Sequence, residues 1–209
     1  LPDTDRQRFE AYWERFVGQG SYCPGHFILT CYAAFPVVLT PDLLYKLWMN
    51  FGKYRNARGQ LVHIEQVAVA DLLLAPFLTP LRGDIYRMSA PLRQACLRYL
   101  RDVRGGDNPM GLHSLEELAY FLLHYLQKYY VLETPSAAFR EAQEWSALAY
   151  LQPELAIHQL TEAFRDTAQR HGQEERLRLT LTLQQLVEQE RSTKADGEEK
   201  AFEAFAAFS

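Results

Sequence analysis

The chain is short of almost everything that marks a secreted, membrane-spanning or disordered protein. It has three cysteines in 209 residues, too few and too scattered for a disulfide scaffold. Its longest apolar runs, such as Val67–Leu74, fall far short of the roughly 18–20 residues that a spanning helix needs. A cationic stretch followed by an apolar one, the mark of a secretory signal, is missing as well. These absences predict a cytoplasmic protein with no membrane partner. Eleven glycines and ten prolines are too few for a collagenous or linker-like chain. The glycines form no phosphate-cradling G-x-x-x-x-G-K-[ST], and neither H-E-x-x-H nor G-x-S-x-G occurs. Pairs such as Glu116-Glu117 and Glu174-Glu175 read as solvated faces, so no catalytic residue and no cofactor is predicted. The opening Leu1-Pro2-Asp3 predicts a piece of a longer protein, cut out or released by proteolysis.

What is present is an ordinary folding composition, 48% hydrophobic and 23% charged, with a net charge of −4. That total conceals an uneven distribution. Residues 1–39 carry −1, residues 40–104 carry +5 and residues 105–209 carry −8. A basic middle is therefore set in an acidic chain. The run Arg104-Gly105-Gly106-Asp107-Asn108-Pro109 at the join is rich in helix breakers and predicts a domain boundary.

Periodicity gives the elements. Phe9, Tyr12, Trp13 and Phe16 share one face of a helix over Asp3–Val17. Phe27–Phe35 is apolar nearly all round and predicts a buried helix. Thr40-Pro41-Asp42 is a helix start, with Thr40 as cap and Pro41 in the first turn. The buried stripe that follows is Leu43, Leu44, Leu47, Trp48 and Phe51. Gly52–Gln60 is basic and predicts an exposed loop. Val67–Ala75 predicts a short helix, and the runs Phe77–Leu81 and Ile85–Met88 around Arg82-Gly83-Asp84 predict a β-hairpin. A helix over 90–103 follows. Ser114 with Glu117 is a capping box ahead of Leu118–Leu132. Helices are then expected over Ala137–Tyr150, from Pro153 to about Gln169, and over Glu174–Glu190. The predicted class is mainly α: N-terminal helices over 1–39, a winged-helix-like unit with one short hairpin over 40–104, an antiparallel helical bundle over 105–191 and an acidic, aromatic tail over 192–209. In that tail Phe202, Phe205 and Phe208 recur every third residue.

Two constellations carry candidate chemistry. Cys23-Pro24-Gly25-His26 with Cys31 has a turn suited to two metal ligands, but zinc wants four and no clear fourth is nearby. Buried cysteines acting as small hydrophobes are the plainer account, and a thiol- or metal-dependent enzyme around Cys23, His26 and Cys31 is the remote reading. The basic segment is the sharper one. Lys53, Arg55 and Arg58 share a loop, Arg82 and Arg87 the hairpin, and Arg93, Arg98, Arg101 and Arg104 the helix after it. Clustered cations within reach of one backbone suit phosphates, and equally an acidic protein surface. The structural alternative is that these arginines cover apolar surface and pair with the acidic half.

Several stretches resemble a connector module of large bacterial conflict, or defence, proteins. They are Leu39-Thr40-Pro41-Asp42-Leu43-Leu44-Tyr45-Lys46-Leu47-Trp48-Met49-Asn50-Phe51, Val67-Ala68-Val69-Ala70-Asp71-Leu72-Leu73-Leu74, Ile85-Tyr86-Arg87-Met88, Pro91-Leu92-Arg93, Leu118-Ala119-Tyr120-Phe121-Leu122-Leu123 and Ala142-Gln143-Glu144-Trp145-Ser146-Ala147-Leu148-Ala149-Tyr150. The resemblance spans about residues 25–165. It implies a non-catalytic adaptor that passes a recognition signal to an effector, such as a caspase-like peptidase or a TIR domain, or to a sensor or NTPase chain.

The function expected from these observations is a regulatory adaptor in a bacterial anti-phage or signalling system. It would bind a partner protein through Trp48, Arg55, Arg58, Arg82, Arg87 and Arg93. The alternative is a nucleic-acid-binding winged-helix regulator that uses the same arginines.

Overall fold

The computed structural model describes residues 24–56, 58–81, 84–105, 108–129 and 137–170. The helices expected over Asp3–Val17 and Glu174–Glu190, the tail over 192–209, Cys23 and Arg82 lie outside the described residues.

The described residues are mainly helical, with two small antiparallel hairpins, in a winged-helix-like arrangement. Helix α1 (Pro24–Ala33) has eight buried residues of ten, because the apolar residues of Phe27–Phe35 leave it no polar face. It is the central helix, packed by α2 (Pro41–Phe51), α3 (Val67–Leu73) and α4 (Ala90–Gly105). Thr40 caps α2 as its sequence predicts, its hydroxyl accepting from the Leu43 N–H at 3.1 Å. Leu43, Leu44, Leu47 and Phe51 form the buried stripe of α2, while Trp48 stands at its half-buried margin. Tyr32, Phe35, Phe77, Leu72, Leu92 and Leu118 complete the best-buried core.

The stretch after α2 corrects the sequence reading. Gly52–Gln60 was expected as a plain loop. The chain there instead forms β1 (Lys53–Arg55) and, beyond the turn, β2 (Leu61–His63), paired Lys53↔His63, Tyr54↔Val62 and Arg55↔Leu61. The turn is held by Asn56, whose Oδ1 accepts from the N–H groups of Arg58 and Gln60. Gly59 supplies the left-handed backbone there, at φ 73°. Strands of three residues are too short for a period-2 pattern to stand out from a polar loop. The described residues thus hold two hairpins where one was expected. The second, β3 (Leu78–Pro80) with β4 (Tyr86–Met88), lies where the two apolar runs placed it, and Leu39 pairs with Tyr86 on its free side.

Beyond Pro109 the described residues are helical: α5 (Leu115–Tyr129), α6 (Ala137–Leu151) and α7 (Pro153–Arg170). The predicted capping box of α5 is formed, with Glu117 accepting from the Ser114 N–H at 2.8 Å and Ser114 from the Glu117 N–H at 3.1 Å.

The division of the chain also departs from expectation. Two units are found, Leu1–Ala147 and Leu148–Ser209, so the boundary expected after Arg104 falls inside the first. Cross-links that sequence reading does not reveal are the reason. The Met110 carbonyl accepts from the Arg55 N–H, and the Tyr32 hydroxyl from the His113 N–H. The Tyr125 hydroxyl donates to Asp42. Gln143 is buried and uses both ends of its amide: Oε1 accepts from the Val37 N–H at 2.8 Å and Nε2 donates to the Val38 carbonyl at 2.6 Å. Each bond satisfies a backbone or side-chain group before Arg104 with one after it, so Met110, His113, Tyr125 of α5 and Gln143 of α6 are tied to α1, α2, β1 and the Val37–Val38 link. In the second unit, the Ala156 N–H of α7 bonds to the Gln152 carbonyl.

Candidate functional site

The first hairpin presents the most distinctive surface. Alternation along β1 and β2 turns Tyr54 inward and leaves Lys53, Arg55, Leu61 and His63 exposed. The register sets Lys53 opposite His63 and Arg55 opposite Leu61, so these four share the outer face of the ribbon. Arg58 is exposed at the turn. No acidic residue occurs from Gly52 to Ile64. Leu61 is 60% exposed among these cations, an unusual place for a leucine on a small ribbon.

The ribbon is firmly mounted. Trp48 donates its indole N–H to the Ile64 carbonyl at 2.8 Å, and the Ile64 N–H donates to the Gly52 carbonyl at 2.8 Å. Arg55 holds the turn from within, its Nη1 donating to the Gly59 carbonyl at 3.1 Å. Tyr45 lies against Trp48 with ring centroids 5.4 Å apart, and Met49 is exposed one turn on from Tyr45. The predicted residues Trp48, Arg55 and Arg58 thus belong to one structural device.

The other predicted residues part company with it. Arg87 is exposed on β4 opposite Thr79, on the other hairpin. Arg93 is the clear correction. It is 5% exposed, and its Nη2 donates to the Phe35 carbonyl at 2.8 Å. It therefore braces the start of α4 against the end of α1 and offers no surface to a partner. Leu61 and His63 were missed, although the alternation Leu61-Val62-His63 after a basic turn carries the signal.

Of the cysteine–histidine motif the described residues include His26 and Cys31, both on α1. His26 is buried and directed at Asp71, with Nε2 3.1 Å from Oδ2. Cys31 is a buried free cysteine, as is Cys96. Among the described residues no three His, Cys, Asp or Glu side chains gather where they could hold a metal ion. Also among the described residues, no helix is long and apolar enough to cross a membrane.

Two buried groups give a pH dependence. Burial, reinforced by the Cys96 thiol, pushes Cys31 well above its ordinary value of 9.0. Burial also pushes the Tyr32 phenol above its ordinary 10.0, against a small opposing effect of the His113 N–H. The folded protein keeps protons that the unfolded chain releases, so stability is complete below about pH 9 and falls as the pH rises. The expected slope is about 1.4 kcal/mol per pH unit for each group once its unfolded form is ionised. Urea midpoints between about pH 9 and 11 check this, and Tyr32→Phe should flatten the decline at the upper end. A slope unchanged in that variant would remove Tyr32 as a cause.

Comparison with protein-family models, with curated proteins and with solved structures finds no match to this chain.

Proposed function

We propose that this chain is a non-catalytic connector that binds a partner protein through the outer face of the first hairpin. The observation that carries the reading is that face itself: Lys53, Arg55 and His63 exposed around an exposed Leu61, on a ribbon fastened to α2 through Trp48. Cations beside exposed apolar area on a rigid mount are what a protein interface uses, the charges steering encounter and the apolar area giving residence. The resemblance to connector modules of bacterial conflict proteins supplies the context. The partner is then an effector such as a caspase-like peptidase, or a sensor or NTPase chain, in a cytoplasmic anti-phage or signalling system.

The test is co-purification from the native host followed by mass spectrometry. An effector or sensor chain should be recovered with the parent protein. It should be lost with Arg55→Glu and Arg58→Glu together, while the circular dichroism spectrum stays unchanged. Recovery unaffected by that double variant, or no recovered chain, overturns the proposal. If the recovered material is nucleic acid, lost with the same variant and steeply salt-dependent, a winged-helix regulator takes its place.

A further inference from the structure

We infer that the ligand of the first hairpin's outer face is an acidic peptide segment of another protein carrying an apolar anchor residue, with its carboxylates on Lys53, Arg55 and Arg58 and its anchor on Leu61. This deepens the connector reading and rests on it.

The complementarity comes from the ribbon. Lys53 and Arg55 are two residues apart on one strand and face the same way, which sets their Cα atoms about 6.6–7 Å apart. An extended peptide presents alternate side chains with that same period, so an acid-x-acid stretch matches Lys53-x-Arg55 residue for residue. Arg58 extends the positive run to the turn, and the ribbon itself contributes no acid from Gly52 to Ile64. Leu61, across from Arg55, then supplies apolar contact close to the paired charges.

The same features disfavour a nucleic-acid backbone. Three cations release few counterions, giving a salt slope of only about −3 on duplex DNA. A leucine 60% exposed among them gains nothing from phosphates, whereas it is the natural seat for an apolar side chain.

The experiment uses the full chain and fluorescence polarisation. The probe is a labelled synthetic peptide that does not occur in this chain, an acid-x-acid stretch of four glutamates interspersed with three phenylalanines. A second peptide replaces the three phenylalanines by alanine, and a labelled DNA duplex of about 20 base pairs represents the competing class. The parent peptide should bind and the alanine peptide should bind about tenfold more weakly, the loss expected from removing a buried anchor. Lys53→Glu with Arg55→Glu should abolish binding, and Leu61→Ser should weaken it several-fold, both with unchanged circular dichroism. Four results overturn the inference: no binding of the parent peptide; equal binding of the two peptides; tighter binding of the duplex; or concentration-dependent self-association in sedimentation that Lys53→Glu with Arg55→Glu abolishes, which would make the occupant a second copy. If peptide binding fails while Arg55-dependent co-purification persists, only the acidic-peptide assignment falls. If the co-purification fails, the connector reading falls with it.

Discussion

Replacing Arg93 by glutamate should cost the fold a large part of its stability. The guanidinium is almost wholly buried, and its Nη2 donates to the carbonyl of Phe35, itself 1% exposed at the end of α1. A glutamate there would set carboxylate oxygens against a carbonyl oxygen, acceptor against acceptor, and bury a charge without this donor's compensation. A buried charge deprived of its partner costs about 3–5 kcal/mol, a large part of the roughly 5–15 kcal/mol that holds a domain together. Arg93→Met separates the electrostatic effect from the packing one. The methionine keeps an apolar stem in place but leaves the Phe35 carbonyl without this donor, for an expected loss of about 2 kcal/mol. Urea unfolding followed by circular dichroism reads both variants. The expected results are a strongly lowered midpoint for Arg93→Glu and a smaller decrease for Arg93→Met. Parent-like stability of Arg93→Glu would show that the side chain is not the brace described above. A binding assay that uses Arg93 variants would therefore report unfolding, and the exposed Arg55, Arg58 and Arg87 are the ones to change.

Gly52→Ala is the second substitution with a large expected effect, and its direction is opposite to the one backbone conformation alone suggests. Gly52 has φ −75° and ψ 26°, angles that alanine adopts freely. Removing a glycine at such a site ordinarily stabilises by about 0.4–1 kcal/mol through the unfolded chain. In this fold, however, a Cβ would clash with the backbone oxygen of Trp48. Neither the oxygen nor the Cβ can rotate away, so the last turn of α2 must open, at an expected net cost of about 2 kcal/mol or more. The last turn carries Trp48, and Gly52 accepts from Ile64, so the mount of the first hairpin shifts with it. The measurements are the unfolding midpoint and the indole N–H resonance of Trp48, which should move as its bond to Ile64 is disturbed. Gly59→Ala is the control. Its φ of 73° disfavours alanine by about 1 kcal/mol, but a Cβ there meets open space, so the indole resonance should stay in place. A stabilised Gly52→Ala with an unmoved indole would refute the close approach.

Much of the fold was legible because its signals are local. Thr40-Pro41-Asp42 announces α2, Ser114 and Glu117 announce α5, and two apolar runs around a glycine turn announce the second hairpin. Caps, turns and side-chain periods act over a few residues, and the sequence contains all of their parts. The candidate site was only half legible. Its cations were visible in composition, but the ribbon that aligns Lys53 and Arg55 with Leu61 and His63 was not, since three-residue strands derive their order from pairing.

By itself, then, the sequence determined the described helices, one hairpin, the polar character of the 52–60 segment and the concentration of positive charge between residues 40 and 104. Tertiary structure alone decided which of those charges face outward. Arg55 and Arg93 are chemically identical, and nothing within a few residues of either distinguishes them. What separates them is distant: Arg93 meets the Phe35 carbonyl 58 residues away and is drawn inside, while Arg55 lies on the outer face of a ribbon whose inner face carries Tyr54. Tertiary structure likewise decided that the chain does not divide at Arg104–Pro109, because the acceptors and donors that tie Tyr32, Val37 and Val38 to His113 and Gln143 lie more than 80 residues apart. A buried polar group must find its partner wherever the fold brings one, and that search crosses distances no local pattern records.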